Sequence, residues 1–169
     1  MPIAASLLPE FDQEMATVRK VLERIPDDKL EYTPHAKSMS FARLAGHVAE
    51  MVGWLADTMK HDSFDVAPAD GQKFEAFVPK SSAELMAAFE KNSVAAREAL
   101  AAGTDEAMMK TWSLLSGGKV LFSMPRVACV RSMILNHIIH HRGQLSVYLR
   151  LNDIPVPSLY GPSADEGQM

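Results

Sequence analysis

The chain is poor in the features that mark secreted and membrane proteins. It holds a single cysteine among 169 residues, so no disulfide bond can form within it, and this composition suits the reducing cytoplasm. No apolar run approaches the ~20 residues that a membrane-spanning helix needs. The first residues also lack the basic and apolar regions of a signal peptide. We therefore expect a cytoplasmic protein that has no membrane partner.

Clustered positive charge is absent as well. The 17 lysines and arginines are outnumbered by 21 aspartates and glutamates, and no segment carries a basic stripe. Because binding to phosphates needs such clusters, we do not expect nucleic acid as a partner. The hydrophobic share of 47% and the charged share of 22% are ordinary for a globular protein. The length suits one domain with one core, spanning residues 1–169.

Apolar residues recur at helical spacing in four segments, which predicts four long helices. These segments are residues 5–25, 40–60, 81–103 and 125–152. Ser40 and the Ser81/Glu84 pair match the pattern of helix N-caps. Pro26 ends the first segment because it cannot continue the hydrogen-bond ladder, and Pro125 suits the first turn of the fourth.

The segments between the predicted helices include one hairpin signal. Two short apolar runs flank "SGGK", which predicts a hairpin-like insertion between the third and fourth helices. The tail over residues 155–169 is rich in proline and glycine and is predicted to be non-helical. Four long amphipathic helices in a chain of this length favour an all-α helical bundle.

Three histidines lie on the predicted apolar faces of two helices. His137 and His141 are four residues apart in "HIIHH" and share one face of the fourth helix, near the middle of its apolar stripe. Side chains at this spacing stand ~6 Å apart, so both imidazoles can reach one divalent ion at ~2.0–2.1 Å. His47 lies at the centre of the apolar stripe of the second helix and could supply a third ligand. His140 points aside from this pair.

A single histidine on an apolar face is usually a hydrogen-bonded core residue, but the placement of all three at the midline of core-facing stripes favours a metal site. Three neutral imidazoles leave positions open for water or a substrate, as in a catalytic site. The glutamate of an HExxH motif is absent. Glu50, one turn after His47, could orient that ring or act as a base. Gln144 and Tyr148 share the histidine face of the fourth helix and could contact a ligand or orient a histidine.

Three stretches of the sequence resemble the DinB family of metal-dependent bundle proteins. They are "YTPHAKSMSFARLAGHVAEMVGWL", "LNHIIHHRGQLSVYLRLNDIPVP" and "LYGPSADE". The resemblance implies an antiparallel four-helix bundle with up-down-down-up connections, commonly a homodimer. It also implies a divalent metal, usually zinc or nickel, held by three histidines that correspond here to His47, His137 and His141. A second apolar arc on the fourth helix is in line with a subunit contact.

The resemblance also bears on function, because known relatives include thiol transferases and isomerases that use low-molecular-weight thiols such as bacillithiol, mycothiol or glutathione. Our first hypothesis is a metal-dependent enzyme, a transferase or hydrolase, that uses such a thiol on a small electrophilic substrate. The alternative is a non-catalytic, stress-associated protein in which a metal only stabilises the bundle. A fourth protein ligand from Glu50, His140 or the hairpin would favour that alternative.

Overall fold

Six α-helices hold about half of the residues in the computed structural model, which describes residues 1–69, 71 and 74–167. They are α1 (Ile3–Leu22), α2 (Phe41–Lys60), α3 (Ser82–Ala101), α4 (Asp105–Met109), α5 (Arg126–Ala128) and α6 (Asn136–Leu151). The predicted N-caps are confirmed, since Ser40 Oγ accepts a hydrogen bond from the Arg43 backbone N–H and Ser81 Oγ accepts one from Glu84. Among the described residues, no helix is long and apolar enough to cross a membrane.

The long helices enclose one hydrophobic core. Helix α2 lies against both α3 and α6, and α1 contacts the same two helices from the other side. Fully buried apolar side chains come from all of these helices, among them Phe11 and Leu22 of α1, Phe41, Met51 and Leu55 of α2, Leu85, Phe89 and Leu100 of α3, and Ile138, Leu145 and Leu149 of α6. Because α2 and α6 are neighbours, a residue on the facing side of one can contact a residue on the other.

The all-α prediction is wrong, because the structure contains a three-stranded mixed sheet. Strand β2 (Thr111–Ser116) pairs antiparallel with β3 (Lys119–Pro125), which confirms the predicted hairpin. Its two-residue turn requires positive φ, which Gly117 (59°) and Gly118 (75°) supply without strain. Strand β1 (Ser63–Asp65) comes from the connection between α2 and α3 and pairs parallel with β2. The insertion is therefore part of a sheet and not an isolated hairpin.

The predicted fourth helix is interrupted. Helix α5 is followed by a π-helical segment (Cys129–Leu135), and regular α-helix resumes at Asn136. A π-helix holds more residues per turn than an α-helix, so residues 129–135 do not keep the angular positions of one continuous α-helical wheel. His137 is the second residue of the regular helix that follows. Within α6 itself, His137 and His141 keep their expected four-residue spacing.

A buried ion pair connects α6 to α1 and to the chain's end. Arg142 is fully buried, and its Nη1 donates a hydrogen bond to Glu14 Oε2 at 2.5 Å and another to Thr17. The Tyr160 hydroxyl donates to the Glu14 carboxylate at 2.9 Å, and its ring lies against the Arg142 guanidinium. From residue 152 to 167 the chain forms no further helix or strand, but these contacts hold it against the bundle.

Candidate metal centre

The three histidines singled out in the sequence lie together between α2 and α6. One nitrogen from each of His47, His137 and His141 lies within 4.8 Å of the others. The ring of His47 is 5.3 Å from that of His137 and 5.0 Å from that of His141, measured between centroids. All three side chains are half-buried, so the group is accessible from solvent. His140, by contrast, is exposed and stands outside the group.

The Nε2 nitrogens of His137 and His141, both on α6, face each other. Their Nε2 atoms are 2.9 Å apart. His141 Nδ1 is 2.6 Å from Gln144 Oε1, and because an amide oxygen only accepts, Nδ1 carries the hydrogen. The Nε2 of His141 is then the acceptor nitrogen of its ring, and it faces His137 Nε2. Nitrogens that share an ion at ~2.0–2.1 Å lie about 3 Å apart, so the spacing of the two Nε2 atoms suits a common ion.

The surroundings of His47 contain several polar atoms without hydrogen-bond partners. His47 Nδ1 is buried and lies 3.9 Å from Glu50 Oε2, too far for a hydrogen bond. Glu50 Oε1 accepts a hydrogen bond from the Phe77 backbone N–H at 2.6 Å, but Oε2 has no partner among the described residues. Burial raises the pKa of Glu50. Unsatisfied buried atoms are uncommon in folded proteins and are typical of binding sites.

The pKa values of the three histidines favour neutral rings. Burial lowers the pKa of His47 to about 4, with further contributions from the nearby charges of His141, Arg43 and His137. Burial is also the main cause that lowers the pKa of His137 and of His141. Neutral imidazole is the form that binds a metal ion, so at neutral pH all three rings are in the state that such binding requires.

Two further side chains of α2 border the histidines. The Trp54 ring lies 5.4 Å from the ring of His47 and 6.3 Å from that of His137, and it forms an apolar wall. Arg43 is four residues before His47 and therefore shares its face of the helix. The sequence patterns did not single out Arg43, although its four-residue spacing from His47 equals that between His137 and His141.

The two polar residues predicted beside the histidines on α6 have different surroundings. Gln144 contacts His141 directly, so of the two roles expected for it the structure favours orienting a histidine. Tyr148 is buried, donates its hydroxyl hydrogen to the Met39 backbone oxygen at 3.1 Å, and packs edge-on against Phe41. The contacts of Tyr148 are therefore with the core and the chain before α2.

The chain belongs to the DinB family, because the model of that family matches residues 1–168. The resemblance read from the three sequence stretches is thereby confirmed. The family is commonly metal-binding, and the three histidines of this chain could hold an ion.

Individual relatives support the same fold. The chain is 26% identical over 160 residues to the uncharacterized protein YrdA of Bacillus subtilis strain 168, covering 94% of this chain and 89% of that protein. The crystal structure of a DinB-like protein from Bacillus cereus ATCC 10987 has a TM-score of 0.68 at 23% identity, covering 91% and 95% of the two chains. That of the DinB-like protein YjoA from Bacillus subtilis has a TM-score of 0.69 at 20% identity, covering 91% and 97%. At 23% and 20% identity, the likeness to these two structures shows the fold alone.

Proposed function

We propose that His47, His137 and His141 hold a divalent ion, zinc or nickel, and that the protein is a metal-dependent enzyme. Its reaction would be the transfer of a low-molecular-weight thiol to a small electrophilic substrate. The observation that carries this proposal is the convergence of one nitrogen from each of the three rings within 4.8 Å, with the Nε2 atoms of His137 and His141 2.9 Å apart. Imidazole nitrogen is a preferred ligand of both metals.

The chemistry proposed for the site follows from its three histidine nitrogens and from the side chains that surround them. A divalent ion bound there would lower the pKa of a thiol or of water and so supply a nucleophile at neutral pH. Gln144 would keep His141 in the tautomer that leaves Nε2 free, and Glu50 would do the same for His47 by accepting a hydrogen bond from Nδ1. Trp54 would shield one side of the site from water.

The number of ligands favours an enzyme over a metal that only stabilises the fold. Among the described residues, the group that could hold an ion contains three histidines and no fourth side chain. Glu50 faces Nδ1 of His47, His140 is exposed, and the hairpin contributes no member to the group. A structural zinc site is closed by four protein ligands, whereas a catalytic one keeps a position open.

Thiol consumption by the metal-loaded protein tests this function. Purified protein loaded with zinc or nickel would be mixed with a small thiol and an aromatic halide, and conjugate formation would be followed by absorbance. We expect the loaded wild type to form conjugate faster than buffer does. His47→Ala should lose this activity, and His35→Ala should keep it because His35 is an exposed loop histidine. Equal rates for loaded protein, chelator-treated protein and buffer, over a panel of thiols, would contradict the proposal.

A further inference from the structure

Among the described residues, Arg43 is the arginine whose guanidinium makes no hydrogen bond to a carboxylate. Each of the other seven arginines donates a hydrogen bond to an aspartate or glutamate. Arg43 Nη1 is buried but has no hydrogen-bond partner among the described residues. The nearest carboxylate oxygen, Glu50 Oε2, is 3.7 Å away, which is beyond hydrogen-bonding distance. Within the described ranges, this N–H is available to donate to another group.

The position of Arg43 directs that donor towards the histidines. Arg43 and His47 are one turn apart on the same face of α2, and the Arg43 side chain is only 26% exposed. Glu50 Oε2 lies 3.7 Å from Arg43 Nη1 and 3.9 Å from His47 Nδ1, so the guanidinium and the imidazole are close to the same carboxylate oxygen. A group bound at His47 would therefore lie near Arg43.

The charges around the histidines determine which ligand fits. Three neutral imidazoles carry no charge, and Arg43 and Glu50 compensate each other at a distance. A divalent ion in the group would leave the half-buried site with two uncompensated positive charges, which is costly in a region of reduced dielectric constant. A ligand with one thiolate would compensate half of this charge. A second anionic group would compensate the rest, and a carboxylate matches the donors of a guanidinium.

We propose that Arg43 binds the carboxylate of a small thiol acid whose sulfur reaches the three-histidine centre. This inference rests on the proposed function and narrows its substrate to thiols that carry a carboxylate. Arg43 would be a binding residue that selects the thiol, while His47, His137 and His141 hold the ion. Glu50 Oε2, 3.7 Å from Arg43 Nη1, would hold the guanidinium in place through its charge, while Glu50 Oε1 is bonded to the Phe77 backbone.

Thiol binding to the cobalt-substituted protein tests this assignment without relying on activity. The visible absorption of the bound cobalt would be titrated with mercaptoacetate and 3-mercaptopropionate, each compared with its uncharged amide. We expect the wild type to bind at least one of the acids about 10- to 100-fold more tightly than its amide, as for a hydrogen bond between charged groups. R43Q should lose this preference, and R43K should keep part of it. R97Q removes an arginine that pairs with Asp12 and should behave as the wild type.

The outcomes separate the two proposals. Cobalt-loaded wild type that binds acid and amide equally would overturn the role of Arg43 while leaving the metal site intact. An unchanged preference in R43Q would overturn it too, because the ion alone would then attract the carboxylate. A protein that takes up no cobalt would contradict the metal site, and the Arg43 assignment would fall with it. Circular dichroism and the cobalt content of R43Q and R43K establish that the variants are folded and loaded.

Discussion

The buried Nδ1 of His47 lies 3.9 Å from Oε2 of Glu50, one turn further along α2. Neither atom has a hydrogen-bond partner among the described residues. The 3.9 Å between them is short enough for a side-chain rotation to bring Nδ1 and Oε2 into a hydrogen bond once His47 Nε2 is bound to a metal. Glu50 is itself held by the Phe77 backbone N–H, so the connection between α2 and α3 contributes to the orientation of His47.

Replacing Glu50 by glutamine should weaken metal binding. The amide keeps the size of the side chain but lacks the negative charge that would hold the Nδ1 hydrogen of His47, and we expect about a 10- to 100-fold loss of affinity. Competition with a chromophoric chelator measures this change. Glu84→Gln is the matched control, because Glu84 also accepts a backbone hydrogen bond but lies at the start of α3. Equal affinities of E50Q and wild type would refute the orienting role.

The lowered pKa of His47 predicts how the metal-free protein responds to pH. The unfolded chain takes up a proton on this residue as the pH falls through ~6.5, whereas the folded protein does so only near pH 4. The unfolded state is therefore favoured increasingly as the pH decreases between these values. We expect the metal-free wild type to lose more stability between pH 7 and pH 5 than His47→Gln, by about 1 kcal/mol after allowance for partial solvent exposure.

Urea titrations at both pH values measure this difference, because all other titrating groups are shared by the two proteins. A wild type and variant that lose the same stability would show that His47 is not shielded from protonation in the folded state.

Gly46 should not tolerate a side chain. A Cβ atom there would lie 2.3 Å from the Phe77 backbone oxygen and 2.8 Å from Pro79 Cδ, so the connection before α3 would have to move away from α2. We expect Gly46→Ala to lower the free energy of unfolding by about 1–3 kcal/mol. Gly143→Ala is the control, since nothing lies within 4 Å of its added Cβ, and it should stabilise α6 by about 0.5–1 kcal/mol. Denaturant unfolding that ranks the two variants in the opposite order would contradict this packing.

The buried pair of Arg142 and Glu14 should be important for stability. Arg142→Leu leaves the Glu14 carboxylate buried without its cation, and we expect a loss of about 3–5 kcal/mol in unfolding free energy. The equivalent change in an exposed pair, Arg97→Leu opposite Asp12, should have little effect. Thermal unfolding of both variants measures the contrast. Similar losses in the two would mean that the Arg142 pair behaves as a surface ion pair.

The histidine group could be predicted because its signals are local. Within α6 the four-residue spacing of His137 and His141 fixes their common face, and this holds despite the π-helical segment before it. His47 lies on α2, and the sequence shows both the N-cap of this helix at Ser40 and its apolar stripe. The starts of α2 and α3 followed from the same kind of signal, since N-cap residues act on their neighbours, whereas α1 ends at Leu22 and so before the position that Pro26 predicted.

The parts that were missed depend on contacts between distant residues. Strand β1 has three residues, too few to show a two-residue alternation, and it exists through pairing with β2 about fifty positions later. The π-helical segment has no sequence pattern that distinguishes it from an α-helix. The surroundings of Arg43 also depend on geometry, because only the structure shows that its Nη1 lies 3.7 Å from Glu50 Oε2.

Metal analysis of untagged protein, purified without chelators, tests the central claim most directly. We predict about one zinc, nickel or other divalent ion per chain in the wild type, and a content close to zero in His47→Ala, His137→Ala and His141→Ala, with His35→Ala as the control that keeps its ion. A wild type that takes up no divalent ion, or histidine variants that retain the same content, would contradict the three-histidine metal centre.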